Sequence, residues 1–143
     1  MIRLAKSSDV ATIINLNKEC LKHYKWSYNK DYVRRSVHYG NHYVICKNNE
    51  ILGAIKFYYE RNWLWISTMA IFKKYQGNGY AKRLLEFTKF TAKRMNYNKI
   101  RLDTLTISKV GKFYTKMGYT LIEQGPYYGK TYQVYEKLIS NHV

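Results

Sequence analysis

The residues best suited to chemistry lie in "QGNGYA", Gln76 to Ala81, where two of the chain's 8 glycines stand one residue apart before a helix-forming run. At a helix start the first backbone N–H groups have no intrahelical partner and carry the positive end of the helix dipole. Glycine lets the backbone come close to a ligand without a Cβ in the way. Gly77, Asn78, Gly79, Tyr80 and Ala81 therefore make a candidate anion cradle, of a kind that fits a pyrophosphate. The run lacks the Lys-Ser/Thr ending of a nucleotide P-loop and the third glycine of a dinucleotide fingerprint. Taken alone, the two glycines also suit a simple loop and helix start. His23, His38, His42 and His142 have no metal spacing, so no metal is expected. Cys20 and Cys46 stand in no metal or redox motif and read as buried, reduced thiols.

A cradle of this kind needs a strand before it and a helix after it. Met1 to Leu4 reads as a short strand. "SSDVATIINLNKECL" reads as a first helix, with Ser7 or Ser8 as N-cap, and "NKDYVRRSVHY" up to Gly40 as a second. "HYVICK" and "EILGAIKFYY", joined by Asn48-Asn49, form a hairpin, because Asn tolerates left-handed turns. "RNWLWISTMAIF" completes an antiparallel meander. Ala81, Leu84, Leu85, Thr88, Ala92 and Met95 recur at helical spacing, so a long helix begins just after the glycines. "KIRLDTLTI" is a strand, "SKVGKFYTKM" a helix ended by Gly118, and "YTLIEQ" and "TYQVYEKLI" two closing strands around "GPYYGK". The order is βααβββαβαββ: an α+β fold with a mixed, mostly antiparallel sheet of about seven strands and about four helices. Repeats and linkers are missing, and residues 1–143 read as one domain.

With these surroundings, the cradle resembles the Gln/Arg-x-x-Gly-x-Gly/Ala motif of the GNAT family of N-acetyltransferases, matched here by Gln76, Gly79 and Ala81. "KFYTKMGY" is similar to the family's Tyr-x-x-x-Gly-Phe segment through Tyr114 and Gly118, with Tyr119 in the Phe position. "YQVYEKLI" is similar to its last strand, and the order of elements matches over nearly the whole chain. The resemblance implies a GNAT-like fold and acetyl-CoA-dependent transfer of an acetyl group to a primary amine by direct attack. It implies that Met69, Ala70 and Ile71, in a strand end splayed from its neighbour, offer backbone groups to the pantetheine arm. Amides from Gln76 through Gly77, Asn78, Gly79 and Tyr80 to Ala81 would hold the pyrophosphate, and a strand-end N–H such as that of Met69 or Ile71 the oxyanion. Tyr114 would protonate the departing thiolate, a task suited to a phenol of pKa about 10 against about 8.5 for a thiol. Without the resemblance, Tyr114 reads as a core residue on the Val110, Phe113 and Met117 stripe. Ile107 stands where many relatives carry Asn, and Lys73 where proline is common. The strand Trp63 to Ile71 lacks the Glu that relatives often use as general base. Glu60 and Asp103 are the candidates left, unless the acceptor amine is already neutral at pH 7.

Charge bears on the acceptor: 25 Lys+Arg against 9 Asp+Glu leave a formal +16. Such a field concentrates anions and repels polyamines and aminoglycosides. Codon bias explains an abundance of Lys, Asn, Tyr and Ile, but not a scarcity of Asp and Glu. "HYKWSYNKDYVRR" and "GPYYGKTY" mix basic and aromatic residues that suit phosphates and bases, although aromatics also fill cores. An acidic macromolecule is therefore the expected acceptor. Some strongly basic relatives acetylate aminoacyl-tRNA, often as toxins held by an antitoxin, so tRNA is favoured and an antitoxin partner is implied. A protein N-terminus or lysine on an acidic protein is the alternative, and a noncatalytic nucleic-acid-binding module the reading from another class. With no signal-peptide pattern and no apolar run of about 18 residues, a cytoplasmic protein off the membrane is expected, with a homodimer admissible.

Overall fold

The expected order of elements is what the computed structural model contains over its described residues, 1–140; His142 lies outside them. The elements are β1 (Ile2–Leu4), α1 (Val10–Cys20), α2 (Lys30–His38), β2 (His42–Lys47), β3 (Glu50–Tyr59), β4 (Trp63–Ile71), α3 (Tyr80–Arg94), β5 (Lys99–Leu105), α4 (Gly111–Lys116), β6 (Thr120–Tyr127) and β7 (Lys130–Leu138). A short 3-10 turn precedes each helix. The strands form a 7-stranded sheet in the order β1-β2-β3-β4-β5-β7-β6. The pair β4–β5 is parallel, and β1–β2, β2–β3, β5–β7 and β6–β7 are antiparallel. By its contacts the chain divides into two compact units, Met1–Phe57 with Thr68–Glu86, and Tyr58–Ser67 with the residues from Phe87 on.

In the first unit, Ile13 and Leu16 of α1 and Val33 of α2 pack with Val44 and Cys46 of β2, Ala54 of β3 and Ala70 of β4. The hairpin turn takes the left-handed form its asparagines allow, with φ of 52° at Asn48 and 64° at Asn49. Neither Ser7 nor Ser8 caps α1. The Asp9 carboxylate does the local work instead, accepting the Lys6 N–H at 2.7 Å and an Arg3 guanidinium hydrogen bond at 2.7 Å, which holds its pKa below the usual value. Asn29 caps α2 by accepting the Tyr32 N–H at 3.0 Å. Below α2, His42 is fully buried with Nδ1 at 2.6 Å from the Ser36 hydroxyl. That hydroxyl spends its proton on the Val33 carbonyl, so His42 donates from Nδ1 and leaves Nε2 as a lone pair without a partner among the described residues. Burial, and then the charge of Lys56, lower the His42 pKa to about 3.

In the second unit, the parallel register of β4 and β5 runs from Trp63↔Lys99 to Ile66↔Leu102. One face buries Leu64, Ile66, Ile100 and Leu102. On the other, Lys99 and Arg101 lie 4.1 and 4.0 Å from the Trp63 ring and share Glu136 of β7 at 3.4 and 3.3 Å. Helix α4 is shorter than "SKVGKFYTKM" predicts, because Lys109 turns left-handed at φ 57° and only the residues after it wind into a helix. Leu84, Leu85, Thr88 and Ala92 of α3 are buried as expected, whereas Met95 lies past the helix end and is 42% exposed.

Candidate functional site

The loop from Phe72 to Gly79 carries the cradle, within the first unit. After β4 the chain makes a single 3-10 turn, Lys73–Tyr75, and α3 opens when the Gly79 carbonyl accepts the Arg83 N–H at 3.1 Å. Gly77 and Gly79 both sit at φ 83°, a left-handed backbone that side chains disfavour by roughly 1–2 kcal/mol. A Cβ at either would meet nothing within 4 Å. Backbone conformation, rather than local crowding, therefore explains the two glycines in this chain. Among the described residues, the N–H groups of Gly77, Asn78 and Gly79 donate no hydrogen bond, and those of Tyr80 and Ala81 belong to the unpaired first turn of α3. That turn contains no acidic residue and is followed by Lys82 and Arg83. The Asn78 side chain donates to the Tyr75 carbonyl at 3.0 Å, fixing the loop, and Gly77, Asn78 and Gly79 are exposed.

The strand end before the loop is tied down by residues far away in the chain. The Ile71 carbonyl accepts the Gln76 amide at 2.9 Å and the Cys20 thiol at 3.1 Å. Glu19, next to that cysteine, accepts the Lys73 N–H at 2.8 Å. Burial, then Glu19, push the Cys20 thiol up to about 11, so it remains a donor at neutral pH. Cys20 is thus half-buried rather than buried, whereas Cys46 is buried, and both are free thiols. Gly53 of β3 supports the same strand end, and sequence reasoning passed over it. A Cβ there would lie 2.5 Å from the Ala70 carbonyl oxygen and collide with the Ile71 side chain, so glycine lets β3 press against the strand end. A glycine inside a strand was the available signal. Met69 is half-buried, and Ala70 and Ile71 are buried.

Tyr114 belongs to the second unit. It is 7% exposed, and its ring packs 5.3 Å from Phe113, 5.8 Å from Tyr119 and 5.9 Å from Tyr135, centroid to centroid. Gly118, at φ 92°, ends α4 and lets the Tyr119 N–H return to the Tyr114 carbonyl at 2.9 Å. Gly111 lets α4 approach β7, since a Cβ there would strike the Tyr135 hydroxyl. The Tyr119 hydroxyl is buried with no partner among the described residues. Burial, then neighbouring Tyr114, raise its pKa well above the ordinary phenol value. Of the two carboxylates considered as base, Glu60 is an exposed residue before β4. Asp103 lies on β5 opposite Val134; the residue is exposed, and partial desolvation of its carboxyl raises its pKa. Among the described residues no group of His, Cys, Asp and Glu could hold a metal, and no helix is long and apolar enough to cross a membrane.

A family model described as an acetyltransferase (GNAT) domain matches residues 38–121, a span from the end of α2 into β6. No curated protein matches the chain. Among solved structures, Ard1 from Thermoplasma volcanium is similar at a TM-score of 0.88 and 17% identity, over 98% of this chain and 97% of that one. The PaiA N-acetyltransferase from Thermoplasma acidophilum, in complex with coenzyme A, is similar at 0.84 and 18%, over 96% and 98%. The ribosomal-protein-S18-alanine N-acetyltransferase from Escherichia coli is similar at 0.80 and 11%, over 98% and 94%. These likenesses establish a shared fold.

Proposed function

The chain belongs to the acetyltransferase (GNAT) family, and from that premise we propose that it transfers an acetyl group from acetyl-CoA to a primary amine on an acidic macromolecule, with aminoacyl-tRNA favoured. The observation that carries the donor half is the row of unengaged amides from Gly77 to Ala81 at the positive end of α3. The open space beside both glycines and the absence of a carboxylate in the first turn fit a diphosphate.

When bound, acetyl-CoA supplies an acetyl group activated as a thioester. The chain's own groups then divide the labour. Amides 77 to 81 hold the diphosphate charge, and the strand end Met69–Ile71 lines up the arm. Tyr114 gives its phenolic proton to the departing sulfur, a general-acid contribution on the order of 10²–10⁴-fold. Asp103, whose pKa desolvation raises, and Glu60 are the carboxylates available to take a proton from the amine, unless that amine is already neutral. An α-amino group, of reference pKa about 8, asks less of that base than a lysine at about 10.4. Aminoacyl-tRNA and a protein N-terminus both offer such an amine. The likeness to an enzyme that acts on a ribosomal-protein alanine keeps the second acceptor as the alternative. The formal charge of +16 favours the polyanion, whose acetylation would take place in the cytoplasm.

A thermal shift tests the donor half: acetyl-CoA at ~100 times its dissociation constant stabilises the fold by about 2.7 kcal/mol. An unchanged melting temperature at saturating donor would overturn the transferase reading and favour a noncatalytic module. Mass spectrometry of charged tRNA and of candidate proteins after incubation then separates the acceptors.

A further inference from the structure

The second unit carries a group of cations that the transfer chemistry leaves unused. Lys109, Lys112 and Lys116, on α4 and its approach, line an open cavity of about 800 Å³ with Gln133 and Tyr135 of β7. All three lysines are exposed, and among the described residues none makes an ion pair. The whole stretch from Thr104 to Ile122 contains no Asp or Glu. Elsewhere in the same unit charge is handled differently, since Lys99 and Arg101 share the Glu136 carboxylate. The cavity floor is already satisfied: Tyr135 donates to the Gln133 amide oxygen at 3.2 Å, and Gln133 donates to Gln124 at 3.2 Å. An occupant would therefore be held by the ammonium groups. Lys112 and Lys116 are four residues apart on one helix, about 6 Å along its axis, so the charges form a row suited to a linear polyanion rather than to one small ion.

Three residues along β7 from Gln133, about 10 Å away, Lys130 opens the β6–β7 turn. There Tyr127 is 50% exposed and Tyr128 is 90% exposed, with their rings 4.9 Å apart. Exposed phenol faces beside an uncompensated row of lysines match a ligand that has both evenly spaced phosphates and flat bases. An acidic polypeptide would satisfy the lysines but supplies neither that regular spacing nor bases to stack.

We propose that the Lys109–Lys112–Lys116 cleft, with the Tyr127–Tyr128 turn, is a docking surface for the phosphate backbone and bases of RNA. It rests on the aminoacyl-tRNA reading and gives that acceptor its place on this chain. The test measures binding of bulk tRNA by fluorescence anisotropy across a salt series, for the wild-type chain and for Lys109→Ala/Lys112→Ala/Lys116→Ala. The triple variant is expected to weaken tRNA binding by about tenfold or more and to make the salt dependence shallower by up to about three units in log–log slope. Tyr128→Ala is expected to weaken binding several-fold with an unchanged salt slope. Both variants should keep the wild-type melting temperature and its shift with acetyl-CoA. Equal tRNA affinity and slope in the triple variant would overturn the docking surface while leaving the acceptor open. Wild-type binding to an acidic peptide but not to tRNA would overturn the choice of RNA. A lost acetyl-CoA shift in the wild-type chain would instead mark a failure of the transferase reading itself.

Discussion

The loop Gln76–Ala81 and the cluster around Tyr114 serve one proposed reaction by opposite means. In the loop, the proposed role falls to main-chain amides, which the side chains of Gln76 and Asn78 help to hold in place. Around Tyr114, the proposed role falls to one phenol wedged among half-buried Phe113 and buried Tyr119 and Tyr135. A backbone site needs the right φ at two glycines and the Gln76 and Asn78 hydrogen bonds that hold the turn, and it tolerates change at positions that do neither. A side-chain site depends on packing contributed by three elements, α4, β6's approach and β7, and tolerates little.

That contrast sets the expected size of each perturbation. Tyr114→Phe removes the proton and keeps the ring, so kcat should fall on the order of 10²–10⁴-fold with the KM for acetyl-CoA little changed. Unchanged single-turnover rates would erase the proton-donor role and, with it, the contrast. The first unit should show its own sensitivity in acid. His42 has a folded pKa of about 3 against an ordinary 6.5, so the unfolded chain binds the proton first. Stability present above pH 6.5 is therefore lost as pH falls toward 3, by on the order of a few kcal/mol. Denaturant titrations across that range should be flatter for His42→Gln; an equally steep dependence would place the proton uptake elsewhere. Gly79→Ala strains a left-handed residue and should cost about 1–2 kcal/mol of stability and weaken donor binding, with kcat at saturation nearly intact. A collapse of kcat there would mean that the loop acts through more than its amides. Smallest is Tyr119→Phe, which deletes a buried hydroxyl without a partner and should raise stability by up to about 1 kcal/mol. A melting temperature that falls would reveal a partner for that hydroxyl.

Local features were the legible ones. The Asn48–Asn49 turn, the start of α3 just after the glycines and the stop at Gly118 each depend on a few adjacent residues, and each reads correctly from them. Features that depend on distant contacts were not. The thiol on the Ile71 carbonyl comes from 51 residues away, and Gly53 is required by a neighbouring strand rather than by its own. Asp9 displaced the two serines at the start of α1 because Arg3, on the preceding strand, recruits it. The early residues of the α4 stripe looked helical until Lys109 took a left-handed turn, which a lysine's own preference does not announce.

The oxygen of Ile71 is doubly engaged. A carbonyl has two lone pairs, and here a thiol and an amide fill both. Any extended molecule laid along this strand finds no acceptor left at that position and must orient its own donors elsewhere. The first helix and the glycine loop thus meet on one buried oxygen, and losing either the cysteine or the glutamine would leave that acceptor half satisfied.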